Sequence, residues 1–135
     1  MKRRVLFAYQ LVTGLSDTLT GILLCVAPAF TLRVMGVRAP IDALPYVGYI
    51  GAFVLSVGLA CLYGARILRL PSFTERIETV WLLTALSRAA VALYLLPEIS
   101  IGNFAHGWLS VVLFDGACAL IQVTGLRRGW LRNAE

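Results

Sequence analysis

An all-α, four-transmembrane-helix bundle is what this sequence predicts, and three observations predict it. Apolar residues make up 59% of the chain and charged residues only 14%. A soluble domain carries about a quarter charged residues, so too few are present here to cover a water-facing surface. Four apolar stretches approach the roughly 20 residues that a helix needs to cross a hydrocarbon core about 30 Å thick. The basic residues gather on alternate links between those stretches, the asymmetry that separates cytoplasmic from outer loops. The 135 residues suit one integral membrane domain, 1–135.

The expected spans are 5–28, 43–65, 75–96 and 103–126. Asp17 is the one charge in the first, and the second carries none. The apolar body of the third is interrupted by Arg88, and the fourth by Asp115. Pro28, Pro45 and Pro97 are expected at span ends, where proline does least harm to a helix. Lys2-Arg3-Arg4 ahead of an apolar run, with Ala27-Pro28-Ala29 behind it, has the outline of a signal peptide. The run is too long for one and is broken by Thr13, Ser16, Asp17, Thr18 and Thr20, so a retained helix is expected. The link over 30–45 alternates apolar residues with Arg33 and Arg38, which predicts a short outer interfacial segment. Ser72-Phe73-Thr74-Glu75 has the form of a capping box for the third helix. The connection over 97–104 is short, so the third and fourth helices should be antiparallel neighbours.

With the N-terminus inside, the cytoplasmic segments hold Lys2, Arg3, Arg4, Arg66, Arg69, Arg76, Arg127, Arg128 and Arg132, while the outer loops hold Arg33 and Arg38. Both termini are therefore expected in the cytoplasm, in a bacterial-type inner membrane. The net charge of +5 follows from this asymmetry and suits anionic lipid headgroups; it does not point to nucleic acid. Tyr9, Tyr63, Trp81 and Trp130 are expected at the inner interface, and Tyr46, Tyr49, Tyr94 and Trp108 at the outer one. In the second span Gly48, Ala52, Ser56, Ala60 and Gly64 recur every four residues, a row that lets helix backbones approach closely.

The residues that could carry chemistry are polar groups inside the spans. An ionisable side chain at mid-membrane depth is costly unless paired or facing protein or water. At ~1.5 Å per residue, Asp17, Arg88 and Asp115 each lie ~17 Å from an end of their span, so all three should meet near the midplane. Each has polar company on its side of the helix: Gln10 and Thr13 with Asp17, Thr84 with Arg88, and Gln122 with Asp115. Two readings stay open. The cluster either pins three helices in one register or forms the floor of a pocket. His106 is the lone histidine, and Cys25, Cys61 and Cys118 form no C-x-x-C pair, so the sequence offers no metal site, haem pair or dithiol motif. Phosphate loops and nucleophile elbows are missing too, and no cofactor is indicated.

Gly14-Leu15-Ser16-Asp17 through Gly21-Ile22 leads into Pro28, and Leu32-Arg33-Val34-Met35-Gly36 follows. With a Gly-rich second span and an Arg in the third, the chain resembles the DoxX-like group of small four-helix bacterial membrane proteins. The resemblance implies association with quinone-linked oxidoreductase systems or an accessory-subunit role. It assigns no active-site residue, and the cysteine pair of redox-active four-helix relatives is absent. The leading expectation is a non-catalytic subunit or scaffold that packs with itself or with a larger, respiratory membrane complex. The alternative is a binding or transport module whose Asp-Arg-Asp cluster handles a proton, a quinone or an amphiphile such as a lipid. An enzyme acting on lipid through Asp115 or His106 has the least support.

Overall fold

Helices follow one another through tight turns in the computed structural model, which describes residues 2–134. Among those residues there are five α-helices and no strand: α1 (Arg3–Val26), α2 (Pro28–Val34), α3 (Leu44–Ile67), α4 (Thr74–Ser100) and α5 (Leu109–Arg127). All but α2 are long and apolar enough to cross a membrane. The expected spans thus correspond to α1, α3, α4 and α5, with ends displaced by a few residues. The short α2 starts on Pro28, where a missing N–H costs nothing, and forms the expected segment between the first two spans.

Two local expectations fail for identifiable reasons. Pro97 does not end the third span, because α4 runs on to Ser100. The helix is closed instead at Gly102, whose φ of 84° lets Asn103 N–H donate to Glu98 O at 2.9 Å and Gly102 N–H to Ile99 O at 3.1 Å. The capping box does not form either. Ser72 takes a left-handed φ of 55°, and Phe73 sits at the N-cap of α4 with no side-chain cap. Phe73 is 1% exposed, and burying a phenyl ring is worth about 1.5–3 kcal/mol against about 1 kcal/mol for a cap.

Glycines set the pairing of α1 with antiparallel α3. Leu62 lies against Gly14 and Leu55 against Gly21, while Gly51 receives Leu24 and Gly58 receives Thr18. On both helices the glycines recur at seven residues, Gly14 with Gly21 and Gly51 with Gly58, a spacing that drifts only ~20° around a straight helix. The four-residue row drifts faster and does not stay in the interface. Ala52 and Ser56 are exposed, Gly48 and Ala60 are half-buried, and Gly64 is buried beside Gln10.

Helices α4 and α5 form a second antiparallel pair. The two pairs meet at both ends of the bundle. At one end Leu6, Ile67, Leu68, Phe73, Ile77, Trp81 and Leu131 pack together, bringing the two chain ends to the same side. Arg3 strengthens that closure, donating from Nε to Leu68 O at 2.5 Å and from Nη2 to Leu70 O at 3.0 Å. Trp81 belongs to this core rather than to an interfacial belt. It is fully buried, rests on Gly125 and tilts against Tyr9 with ring centroids 5.5 Å apart. At the opposite end Trp108 touches both the cluster around Leu24, Leu32, Val37 and Val47 and the one around Leu95, Ile99 and Val112.

This packing makes a paired prediction. A Cβ at Gly58 would stand 2.5 Å from Thr18 N, whereas at Gly48 the nearest atom is 3.8 Å away. Gly58→Ala should therefore destabilise the protein by about 1–3 kcal/mol through overpacking. Gly48→Ala should be neutral or stabilise by up to about 1 kcal/mol through chain entropy. Unfolding midpoints in detergent read both, and equal effects would discard the seven-residue interlock.

Candidate functional site

The site is built around Arg88. The inward face of α4 carries Trp81, Thr84, Ala85 and Arg88, all buried, so the guanidinium is directed into the bundle and not toward lipid. Its Nη2 donates to Asp17 Oδ2 on α1, and its Nη1 donates to Asp115 Oδ1 on α5 at 2.6 Å. Nη2 also faces Cys61 Sγ on α3 at 3.9 Å, and Cζ lies 5.3 Å from the centre of the Phe114 ring. One side chain from α4 thus reaches all three other long helices. The structure brings together the three charges that the sequence singles out. The guanidinium is 2% exposed, and the Asp17 and Asp115 side chains are 9% and 17% exposed. Charge-assisted bonds of this kind are short and strong, and they remove the penalty of an isolated ion in an apolar medium.

The four companion residues are buried but do not join the ion cluster. Gln122 Nε2 donates to Thr84 Oγ1 at 2.8 Å, and Thr84 in turn donates to Val80 O at 2.7 Å. Gln10 Nε2 donates to Cys61 O at 3.4 Å, and Thr13 Oγ1 donates to Tyr9 O at 2.8 Å. They form a second polar layer between Arg88 and the Trp81 end of the bundle. Its bonds tie α1 to α3 and α4 to α5, so its chemistry is that of helix pairing.

On the other side of Arg88 the two helix pairs leave a cavity of about 640 Å3. Asp17, Arg88 and Asp115 lie at one end of it, and Met35, Phe104 and Trp108 at the other. The walls between are mostly apolar, relieved by the hydroxyls of Ser16, Thr20, Ser56, Ser87 and Ser110. Exposed lining residues mark where it opens: Ile50, Phe53 and Ser56 of α3 with Ser87, Val91 and Tyr94 of α4 on one side, and Ser16 of α1 with Ser110 and Phe114 of α5 on the other. A long apolar chamber with a few convergent polar groups is the usual form of a small-molecule site, whose volumes run about 300–1,000 Å3.

Sequence reasoning missed Cys61 and Phe114 as neighbours of Arg88, and it missed the serines of the wall. Cys61 had a signal, since it lies between Gly58 and Gly64 on the face that packs α1. Ser56 belongs to the four-residue row of the second span; the other serines had no signal, being scattered over three helices without a common period. Among the described residues no group of three or more His, Cys, Asp or Glu side chains could hold a metal ion. His106 is exposed in the turn before α5; Cys25 is exposed, and Cys61 and Cys118 are buried free thiols.

Removing the cation alone should be far worse than removing the whole cluster. Arg88→Met leaves two buried carboxylates facing each other and should cost about 3–5 kcal/mol. The triple change Asp17→Asn, Arg88→Met, Asp115→Asn should recover most of that loss. Chemical unfolding in detergent measures both, and a triple variant no more stable than Arg88→Met would refute the charge-pairing account.

No family model, curated protein or solved structure matches the chain, so a functional reading stands on this cavity and its charged floor.

Proposed function

We propose that the protein is an integral membrane binding module that takes an amphiphilic small molecule into the cavity between its helix pairs. The observation that carries this reading is the cavity itself, about 640 Å3 of mainly apolar space with Asp17, Arg88 and Asp115 at one end. Such a chamber can hold an acyl or ring system along its walls while a polar head meets the charged floor. The likeness of the chain to DoxX-like proteins puts quinones among the candidate occupants, beside lipids. The protein resides in a bacterial-type inner membrane with both termini cytoplasmic. The clustering of nine of its 12 Lys and Arg residues at the end of the bundle that holds both chain ends supports that orientation.

A subunit or scaffold role is the second reading. Ala52 and Ser56 favour it, being small, exposed on α3 and spaced for close helix approach by another chain. Both readings allow the ion cluster to hold the helix pairs together; they differ in what the remaining space is for.

Two experiments test this proposal. Val91 lines the cavity and is 41% exposed, so Val91→Trp should fill the mouth without disturbing the core. Native mass spectrometry from nanodiscs should show a small molecule retained by the wild type and lost from this variant, with unfolding midpoints unchanged. Identical spectra, with no ligand on either, would sink the binding reading; a fixed oligomer or stoichiometric partner in both would favour the subunit. For orientation, a membrane-impermeant maleimide should label Arg132→Cys only in inverted vesicles and Asn103→Cys only in intact spheroplasts. The reverse pattern would overturn the assigned topology.

A further inference from the structure

We infer that the occupant of the cavity is a lipophilic monocation, a bulky molecule with one diffuse positive charge that sits against Asp17 and Asp115. The inference rests on the binding reading and specifies its ligand class.

The charge count is the starting point. Of the residues lining the cavity, Asp17, Arg88 and Asp115 are the ones that carry formal charge at neutral pH. Two carboxylates against one guanidinium leave a formal excess of one negative charge. The arrangement of the bonds gives that charge a direction. Arg88 directs Nη1 at Asp115 and Nη2 at Asp17, while its Nε is buried without a hydrogen-bond partner. An anionic head would therefore meet two carboxylates, with both Nη atoms of the guanidinium already turned to them. Asp17 Oδ1 and Asp115 Oδ2, by contrast, are not used in the bonds to Arg88. The floor presents acceptors, which is the preference of a cation.

The walls agree with the floor. Phe53, Tyr94, Phe104, Trp108 and Phe114 all line the cavity. Aromatic faces attract cations within about 6 Å of the ring centre, most strongly where water is excluded. Phe114 already does this for Arg88, and Tyr94, Phe104 and Trp108 form a chain of edge-to-face contacts with centroids 6.3 and 6.0 Å apart. A compact ion would lose its hydration in such a chamber without enough oxygens to replace it. An organic cation with its charge spread over several carbons loses less and gains the apolar walls.

The test uses the full chain in nanodiscs, with empty nanodiscs subtracted for partition into lipid. Three probes of similar shape are compared by equilibrium dialysis: tetraphenylphosphonium, the neutral triphenylphosphine oxide and the anionic tetraphenylborate. Phosphonium should bind saturably at one per chain. The neutral probe should bind at least about tenfold more weakly, a difference of about 1.4 kcal/mol, and borate should show no saturable binding. Asp115→Asn should weaken phosphonium by a similar factor while sparing the neutral probe. Ser110→Lys, which adds a positive charge to the wall away from the ion cluster, should do the same and serves if the Asp115 variant does not fold. Neutral or anionic probe binding as tight as phosphonium overturns the cation assignment and leaves the binding reading intact. No saturable binding of any probe, together with no retained molecule in the mass spectra, overturns both.

Discussion

The rest of this structure depends on a single buried guanidinium. Each helix pair coheres by itself, α1 with α3 through alternating glycines and α4 with α5 along their antiparallel lengths. At mid-bundle the pairs are joined by the bond that Arg88 of α4 makes to Asp17 of α1, while its bond to Asp115 ties α4 to α5. The bond to Asp17, with the apolar clusters at either end, holds the pairs at the spacing that leaves the cavity between them. Lysine would not serve equally, because Arg presents its donors in a rigid planar fork that spans two carboxylates on different helices, whereas Lys is a compact point charge.

The parts of the fold that are legible in the sequence are those imposed by lipid. Span length follows from bilayer thickness, and Asp17, Arg88 and Asp115 stand out because charges in an apolar run demand partners. What is not legible depends on contacts between distant segments. The four-residue row in the second span is an attractive pattern, yet the helix turns it out of the interface, and Gly51 and Gly58 do the packing instead. Ser72 reads as a cap until the burial of Phe73 outweighs it. Trp81 reads as an interfacial anchor, but Gly125 leaves it a seat in the core. The cavity has no sequence signature, because a gap is defined by what four helices fail to fill.

Structural and functional readings of the ion cluster are compatible on this geometry. The guanidinium is buried and bonded to both carboxylates, so it neutralises and holds. The carboxylates are more accessible than the guanidinium and keep oxygens beyond those it engages. A division of labour follows, in which the cation maintains the architecture and the anions face the chamber. The second polar layer, with Gln122 on Thr84 and Gln10 on the Cys61 carbonyl, fixes the helices on the far side of Arg88 and leaves the chamber to the ion cluster.

The alternating notches between α1 and α3 have a mechanical corollary. Leu55 and Leu62 of one helix are keyed to Gly21 and Gly14 of the other, and Thr18 and Leu24 are keyed in return to Gly58 and Gly51. Sliding α1 along its neighbour by one turn would drive those leucines onto side chains instead of bare backbone. The pair behaves as a ratchet with one engaged tooth position, and Asp17 rides on it. The level at which that carboxylate meets Arg88 is thus dictated by the meshing of uncharged residues on either side of it.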